Sequence, residues 1–387
     1  MNTDPVNENS SLEKPFPISM PPEGLPTPRK AHLLVKETPK AYVWSAWILK
    51  FSATCYLAVL ILMILLESSL VFPGSPSTAG DWSHPGIALE EVDFTSADGT
   101  QLHGFFFQNP KSDQYLLFCH GNGENIATIA SEMDLLRKQL NVSVFAFDYR
   151  GYGKSEGSPW EEGVLADGEA AAVWLADRSQ QPIENLIIMG RSLGGGVAVH
   201  LASLVDPQAL ILDRTFSSTV DVAADRYWWL PVRYVMRNQF WSIVRIKRYE
   251  GPLFQMHGVK DEVIPIWSGK KLFTASPSED KYFMEIADLY HNDPWPQAFI
   301  DQVDGFINGE EEQPQKESLI KANSPTPDFN RNASEVIPIA PETSPLNIDK
   351  QSRSSGLLDS TSSSSRVSSS RISKSSNAIY DSRGKDA

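Results

Sequence analysis

The sequence predicts an α/β fold with a mostly parallel central sheet and helices on both of its faces. Three observations carry that prediction. Short apolar runs of strand length alternate with helix-compatible stretches between residues 87 and 308. Runs such as Leu116-Leu117-Phe118 and Leu186-Ile187-Ile188-Met189 are apolar at every position, as strands covered on both faces require. Motifs bearing chemically active side chains stand directly after such runs. That is the carboxyl end of a parallel strand, where sheets of this kind hold their sites.

The elements follow in order. Residues 87–94 and 101–107 read as a hairpin around Ala97-Asp98-Gly99, a tight-turn sequence. Residues 115–119 and 142–148 are the next two strands. Residues 162–177 have helical spacing. The strand at 186–189 runs into a sharp turn and a helix-compatible stretch at 197–204. Strands at 209–212, 252–256 and 282–286 complete the series.

Composition bounds the rest. The chain has 387 residues, a formal net charge of −14, and 41% hydrophobic residues, enough for a sizeable core. Its acidic balance offers phosphates no basic field, so nucleic acid is not an expected partner. The two cysteines, Cys55 in an apolar run and Cys119 at a strand end, make neither a disulfide framework nor a thiolate metal site. No metal or nucleotide motif is visible, and no cofactor is expected. Residues 1–40 and the Ser-rich tail at 309–387 lack periodicity and hold too few apolar side chains to offset chain entropy, so both are expected to be disordered.

Between them, residues 41–72 read as a transmembrane anchor and 80–308 as a catalytic domain. Residues 51–66 are apolar and uncharged, bounded by Lys50 and Glu67. A span needs about 20 residues, which the apolar flanks complete while the terminal charges snorkel. A buried helix would need protein on every side. A cleaved signal would not follow about forty polar residues, although Ser77-Thr78-Ala79 keeps that alternative open. Lys30, Lys36, Lys40 and Lys50 lie upstream, and no Lys or Arg occurs from residue 51 to 110. That asymmetry predicts a single pass with a cytoplasmic N-terminus and an extracytoplasmic catalytic domain.

The candidate chemistry centres on Ser192 in Gly190-Arg191-Ser192-Leu193-Gly194. Strand, sharp turn, serine and helix present a hydroxyl above a sheet edge as a nucleophile. His120-Gly121-Asn122-Gly123 follows another strand. An acyl-transfer site needs amide donors for a developing oxyanion, and Leu193 and Asn122 are the candidates. The base is reached by elimination among seven histidines. His32 lies in the N-terminal segment, and His84 and His103 precede the core. His120 belongs to the oxyanion loop, and His200 is about 12 Å along the helix from Ser192. His257 reads as a structural turn residue. His291 follows the last strand, with Asp293 as an expected N-cap and Pro294 as the first helical residue. For the acid, Asp261 is preferred for its defined loop near His291. Asp213, with Arg214 as a ready partner, and Glu262 remain alternatives.

These stretches resemble the α/β-hydrolase family, in particular its membrane-anchored, small-cap branch, which includes protein depalmitoylases. The resemblance rests on His120-Gly121-Asn122-Gly123-Glu124-Asn125, the 148–155 stretch beginning Asp148-Tyr149-Arg150-Gly151, Gly190-Arg191-Ser192-Leu193-Gly194-Gly195, His257-Gly258-Val259-Lys260-Asp261 and His291-Asn292-Asp293. It implies an α/β-hydrolase fold with a minimal cap, preceded by one transmembrane helix. It also implies a Ser192, Asp261, His291 triad, with Asn122 and Leu193 donating to the oxyanion. The 148–155 stretch is structural in the family, and Asp148 and Arg150 are expected to pair. The function expected is a serine hydrolase of esters, thioesters or amides, an esterase or thioesterase before a peptidase. Its expected partners are an acyl or lipid-like small molecule or acylated protein, and a membrane. A non-catalytic tethered scaffold is the alternative class.

One aromatic stretch stands apart. Residues 227–241 interleave Tyr227, Trp228, Trp229, Tyr234 and Trp241 with Arg233 and Arg237. The expectation is an amphipathic helix packed on the sheet with Arg at its rim. Contact with lipid headgroups is the alternative.

Overall fold

The computed structural model describes residues 40–84 and 86–309. The N-terminal segment up to residue 39 and the tail from residue 310, both expected to be disordered, lie outside them, as does His32. Two compact units divide after Leu65. Among the described residues, the first unit is helical. Helix α1, Lys40–Val71, begins there and ends in the second unit. Its stretch Trp44–Val71 is the one described helix long and apolar enough to cross a membrane.

The second unit is built on an eight-stranded sheet. Its strands are β1 (Glu90–Thr95), β2 (Gln101–Phe107), β3 (Tyr115–Cys119), β4 (Ser143–Phe147), β5 (Ile187–Arg191), β6 (Ala209–Asp213), β7 (Leu253–Gly258) and β8 (Lys281–Ile286). Their order across the sheet is β1-β2-β4-β3-β5-β6-β7-β8. The pairs β1–β2 and β2–β4 are antiparallel, and every other pair is parallel. The hairpin and each later strand fall where the apolar runs predict them.

Alternation along the strands divides the core. Leu117, Phe145, Ile188 and Leu210 face one layer, which contains helices α3 (Glu161–Ser179), α4 (Leu193–Val205) and α8 (Ile266–Ala275). Leu116, Val144, Ile187 and Ile211 face the other, which contains α2 (Ile126–Gln139) and α9 (Gln297–Asn308). Burial on both faces explains why the strand runs are apolar throughout.

From β3 the chain steps to β4 on one side, then returns to β5 on the other. A crevice therefore opens at the carboxyl ends of β3 and β5, the reversal point that such sheets use as a site. The His120–Gly123 loop leaves β3 there and Ser192 leaves β5.

Three expectations are corrected. The last helix does not begin at Pro294: α9 starts at Gln297 after Pro296. Trp295 precedes a proline, and that disfavours helical backbone at Trp295. Arg150 pairs with Asp167 and Asp98, not with Asp148. Asp148 instead accepts from the Ile126 amide and faces His120 at 3.6 Å. Finally, the aromatic stretch forms no long helix packed on the sheet. Only α6 (Val232–Val235) is helical within it, because Pro231 interrupts the chain after α5 (Thr219–Arg226). Trp228 and Tyr234 stand out, 82% and 80% exposed.

Candidate active site

Ser192 sits between the last residue of β5 and the first of α4, with φ 53° and ψ −117°. A non-glycine residue held at positive φ is strained backbone, and strain of this kind gathers at functional positions. The surroundings hold it there. Its N–H donates to the Asp213 carbonyl at 2.9 Å, and its carbonyl accepts from Thr215 Oγ1 at 2.8 Å. The flanking glycines are needed for approach. A Cβ on Gly194 would collide with the Cys119 and His120 carbonyls, and one on Gly190 with the Gly194 carbonyl.

His291 reaches this serine from the loop after β8. Its Nε2 lies 3.1 Å from Ser192 Oγ, and its Nδ1 lies 2.8 Å from Asp261 Oδ2. The three residues span a long stretch of sequence, yet sit at the carboxyl ends of β5, β7 and β8. All three are largely buried. Asp261 is fixed by its other oxygen, which accepts from the Val263 and Ile264 amides at 3.0 and 2.7 Å. Glu262 lends only a long contact, 3.4 Å from the His291 amide.

Asp213 has different work. It binds Arg214 Nε and Nη2 at 2.7 and 3.0 Å and accepts from Trp295 Nε1 at 2.7 Å. Burial pushes its carboxyl up, but Arg214 outweighs this and holds it below the usual carboxylate value. Arg214 also donates to the carbonyls of Tyr290 and Asp293, which flank His291. The sequence showed Arg214 only as a neighbour of Asp213. No local signal marks its hold on a loop more than seventy residues away.

The β3 loop lies against the serine. A Cβ on Gly121 would stand 3.6 Å from Ser192 Cβ. The Gly121 amide donates to Glu124 Oε2 at 2.7 Å, and Arg191 Nη2 donates to Glu124 Oε1 at 2.6 Å. Glu124 therefore ties the loop to the strand that carries the serine, a role unassigned from sequence although it lies three residues after Gly121. Burial disfavours the Arg191 charge, yet Glu124 and Glu132 raise its affinity for the proton above the usual arginine value.

Leu193 opens α4, so its N–H has no carbonyl within the helix to bond. Asn122 follows Gly121. Its side chain donates to the Val71 carbonyl at 2.6 Å and accepts from Tyr152 Oη at 2.7 Å. That leaves the backbone amide of Asn122, rather than its side chain, as the candidate donor.

Two of the other buried histidines, His120 and His257, have structural partners. His120 contacts the Gly121 carbonyl through Nδ1 at 2.8 Å, and burial pushes its pKa down to about 4. His257 meets the Ile264 carbonyl through Nε2 at 2.8 Å, and burial keeps it below the usual histidine range.

A serine on a strand-to-helix elbow, an imidazole within hydrogen-bond reach and a carboxylate behind it match the arrangement of a hydrolase site on a doubly covered sheet. Comparison with known proteins agrees with this class. Residues 114–234 match the family model described as alpha/beta hydrolase fold. A Mycobacterium tuberculosis protein described as uncharacterized is 34% identical over 209 residues, covering 54% of this chain and 74% of that one. An uncharacterized membrane protein of Saccharomyces cerevisiae is 31% identical over 238 residues, covering 59% of this chain and 83% of its own length. Among solved structures, the Pyrococcus furiosus esterase Pf2001 superposes with a TM-score of 0.51 at 19% identity, covering 61% of this chain and 98% of that one. The chain belongs to the alpha/beta hydrolase family.

Proposed function

We propose that the protein is a membrane-anchored serine hydrolase that cleaves carboxylic esters, thioesters or amides through an acyl-enzyme. The observation that carries this reading is the continuous hydrogen-bond relay from Ser192 Oγ through His291 to Asp261. Ser192 Oγ attacks the acyl carbon while His291 Nε2 takes its proton. Asp261 stabilises the imidazolium. The negative charge gathering on the carbonyl oxygen is met by the amides of Asn122 and Leu193. His291 then returns the proton to the leaving group. Water attacks the acyl carbon and gives its proton to His291; the bond to Ser192 Oγ then breaks, His291 returns the proton to Ser192, and the acyl group leaves as the acid.

Between β6 and β7 the chain supplies α5, α6, α7 (Ser242–Arg245) and a 3-10 turn at Ile246–Arg248, each of eight residues or fewer. A minimal cap of this kind favours acyl or lipid-like substrates, small or carried on a protein. Ester and thioester rank ahead of peptide because their leaving groups depart with less help from the acid. Residues 80–308 are the catalytic domain in this reading, and α1 is the single-pass anchor. Lys30, Lys36, Lys40 and Lys50, upstream of the apolar run 51–66, favour a cytoplasmic N-terminus and a catalytic domain on the far side.

The test is labelling with a fluorophosphonate probe. The full chain labels, and Ser192→Ala does not while keeping its thermal midpoint. An unlabelled, folded wild-type chain would instead make this a tethered binding protein on a hydrolase fold.

A further inference from the structure

We infer that residues 227–237, with α1's end beside them, seat on a phospholipid surface. This seat requires α1 to cross a membrane and does not require Ser192 to be reactive.

The last turns of α1 belong to the sheet-bearing unit and carry Glu67, a carboxylate within an apolar helix. It does not snorkel to water, as its sequence position suggests. Glu67 is buried and accepts from the Arg237 amide and Nε and from the Asn238 amide and Nδ2, at 2.8 to 3.1 Å. Two residues at the end of the aromatic segment therefore clamp the end of the membrane-spanning candidate. Wherever the bilayer surface meets that end of α1, it lies close to this segment.

What the segment exposes suits such a surface. Trp228 and Tyr234 have almost nothing around them, and Trp229 is 45% exposed. Large amphipathic rings in water are costly, whereas Trp and Tyr concentrate at membrane interfaces, with the ring in the headgroup layer. Arg226 and Arg233 flank these rings, both exposed; Asp225 is exposed beside them, and Arg233 Nη1 also donates to the buried Asp221 at 3.1 Å. In a chain of net charge −14, this is an aromatic patch edged by arginine, suited to the headgroup layer above an apolar one.

The same surface lies near the reactive edge of the sheet. Val71, the last residue of α1, accepts from the Asn122 side chain, and Phe72 meets Phe240 edge-on at 6.0 Å. The loop beside Ser192 is thus one hydrogen bond from the end of α1. A substrate held by an acyl chain in the bilayer arrives at that edge.

The experiment uses the full chain in phosphatidylcholine vesicles, with and without phosphatidylserine. In a Cys55→Ser background, Cys119 is fully buried and takes no label. Single cysteines replace Trp228, Tyr234 or Lys111, each carrying an NBD fluorophore. Lys111 precedes β3, at the opposite edge of the sheet from Ser192. Nitroxide-bearing lipid should quench positions 228 and 234 about threefold more than position 111, as expected for side chains about 5–10 Å into the headgroup boundary. Aqueous iodide should show the reverse order. Equal iodide access at all three positions overturns the inference. Shielding of 228 and 234 from both quenchers also overturns it, because protein would then cover the patch. A chain that fails to float with vesicles removes the anchor and this inference together. Fluorophosphonate labelling of the same samples reports separately on the catalytic reading.

Discussion

Asp261 holds His291 with one carboxylate oxygen only, Oδ2 at 2.8 Å, because its Oδ1 is occupied by the amides of Val263 and Ile264. This fixes which face of the carboxylate the imidazole meets. In Asp261→Asn, the two amides still require an oxygen, so the new NH2 group points at His291 Nδ1. Nδ1 must then accept, and its proton moves to Nε2, the atom that has to receive one from Ser192. Ester hydrolysis should fall by about 10⁴-fold with the fold intact. Rates on a p-nitrophenyl ester beside thermal midpoints check this. A loss under tenfold would remove Asp261 from the relay.

Asp213 makes the opposite prediction. It neutralises buried Arg214, which in turn holds the carbonyls on either side of His291. Asp213→Asn leaves a buried guanidinium without its counter-charge, at a cost of about 3 kcal/mol or more. Stability should drop, while Ser192 still labels with fluorophosphonate at low temperature. Unchanged stability with abolished labelling would make Asp213 the acid instead.

Much of this was legible in the sequence because strand burial on both faces writes itself as uninterrupted apolar runs. Ser192 and the 120–123 loop were legible because a strand-end site needs glycines at fixed offsets. His291 was reached by chain order and elimination, and Asp261 was preferred over Asp213 and Glu262 for its loop and by the family resemblance. The start of α9 was misplaced because Asp293 and Pro294 form a good local cap signal. That signal is overridden by Pro296 and by Trp295 turning to Asp213. Glu67 was misread for a different reason. A carboxylate closing an apolar run looks the same whether it ends in water or in a nest of four N–H donors supplied 170 residues later. The aromatic segment misled because its composition suits packing and lipid contact equally, and only exposure separates the two.

Glycine substitutions should split sharply by position. Gly194→Ala drives a methyl group into the Cys119 carbonyl, a backbone atom of a central strand. The expected loss is about 3 kcal/mol, at the upper end of overpacking costs. Gly305→Ala, in α9, meets nothing within 4 Å. It should gain about 0.5–1 kcal/mol from helix propensity and reduced unfolded-state entropy. Urea midpoints of the two variants should move in opposite directions, and a shared direction would contradict the packing around the serine turn.

Acid should destabilise the fold through its buried histidines. Burial lowers the pKa of His84, His103, His120 and His257 below the usual 6.5. Each binds fewer protons folded than unfolded, so its stabilisation is complete above pH 6.5 and is lost as pH falls through the folded value. For His120 that value is about 4. Asp148 acts in the other sense. Burial raises its carboxyl from 3.8 to about 7, so its contribution is full below pH 3.8 and is lost as pH rises through 7. Between pH 7 and 5 the contributions of His120 and Asp148 oppose each other, and the other three histidines set the balance. The thermal midpoint of the detergent-solubilised chain should therefore fall from pH 7 to pH 5. In Asp148→Asn, which keeps an oxygen for the Ile126 amide, the fall should be steeper because the opposing group is gone. A fall no steeper in that variant would mean that Asp148 takes up no proton in the folded protein between pH 7 and 5.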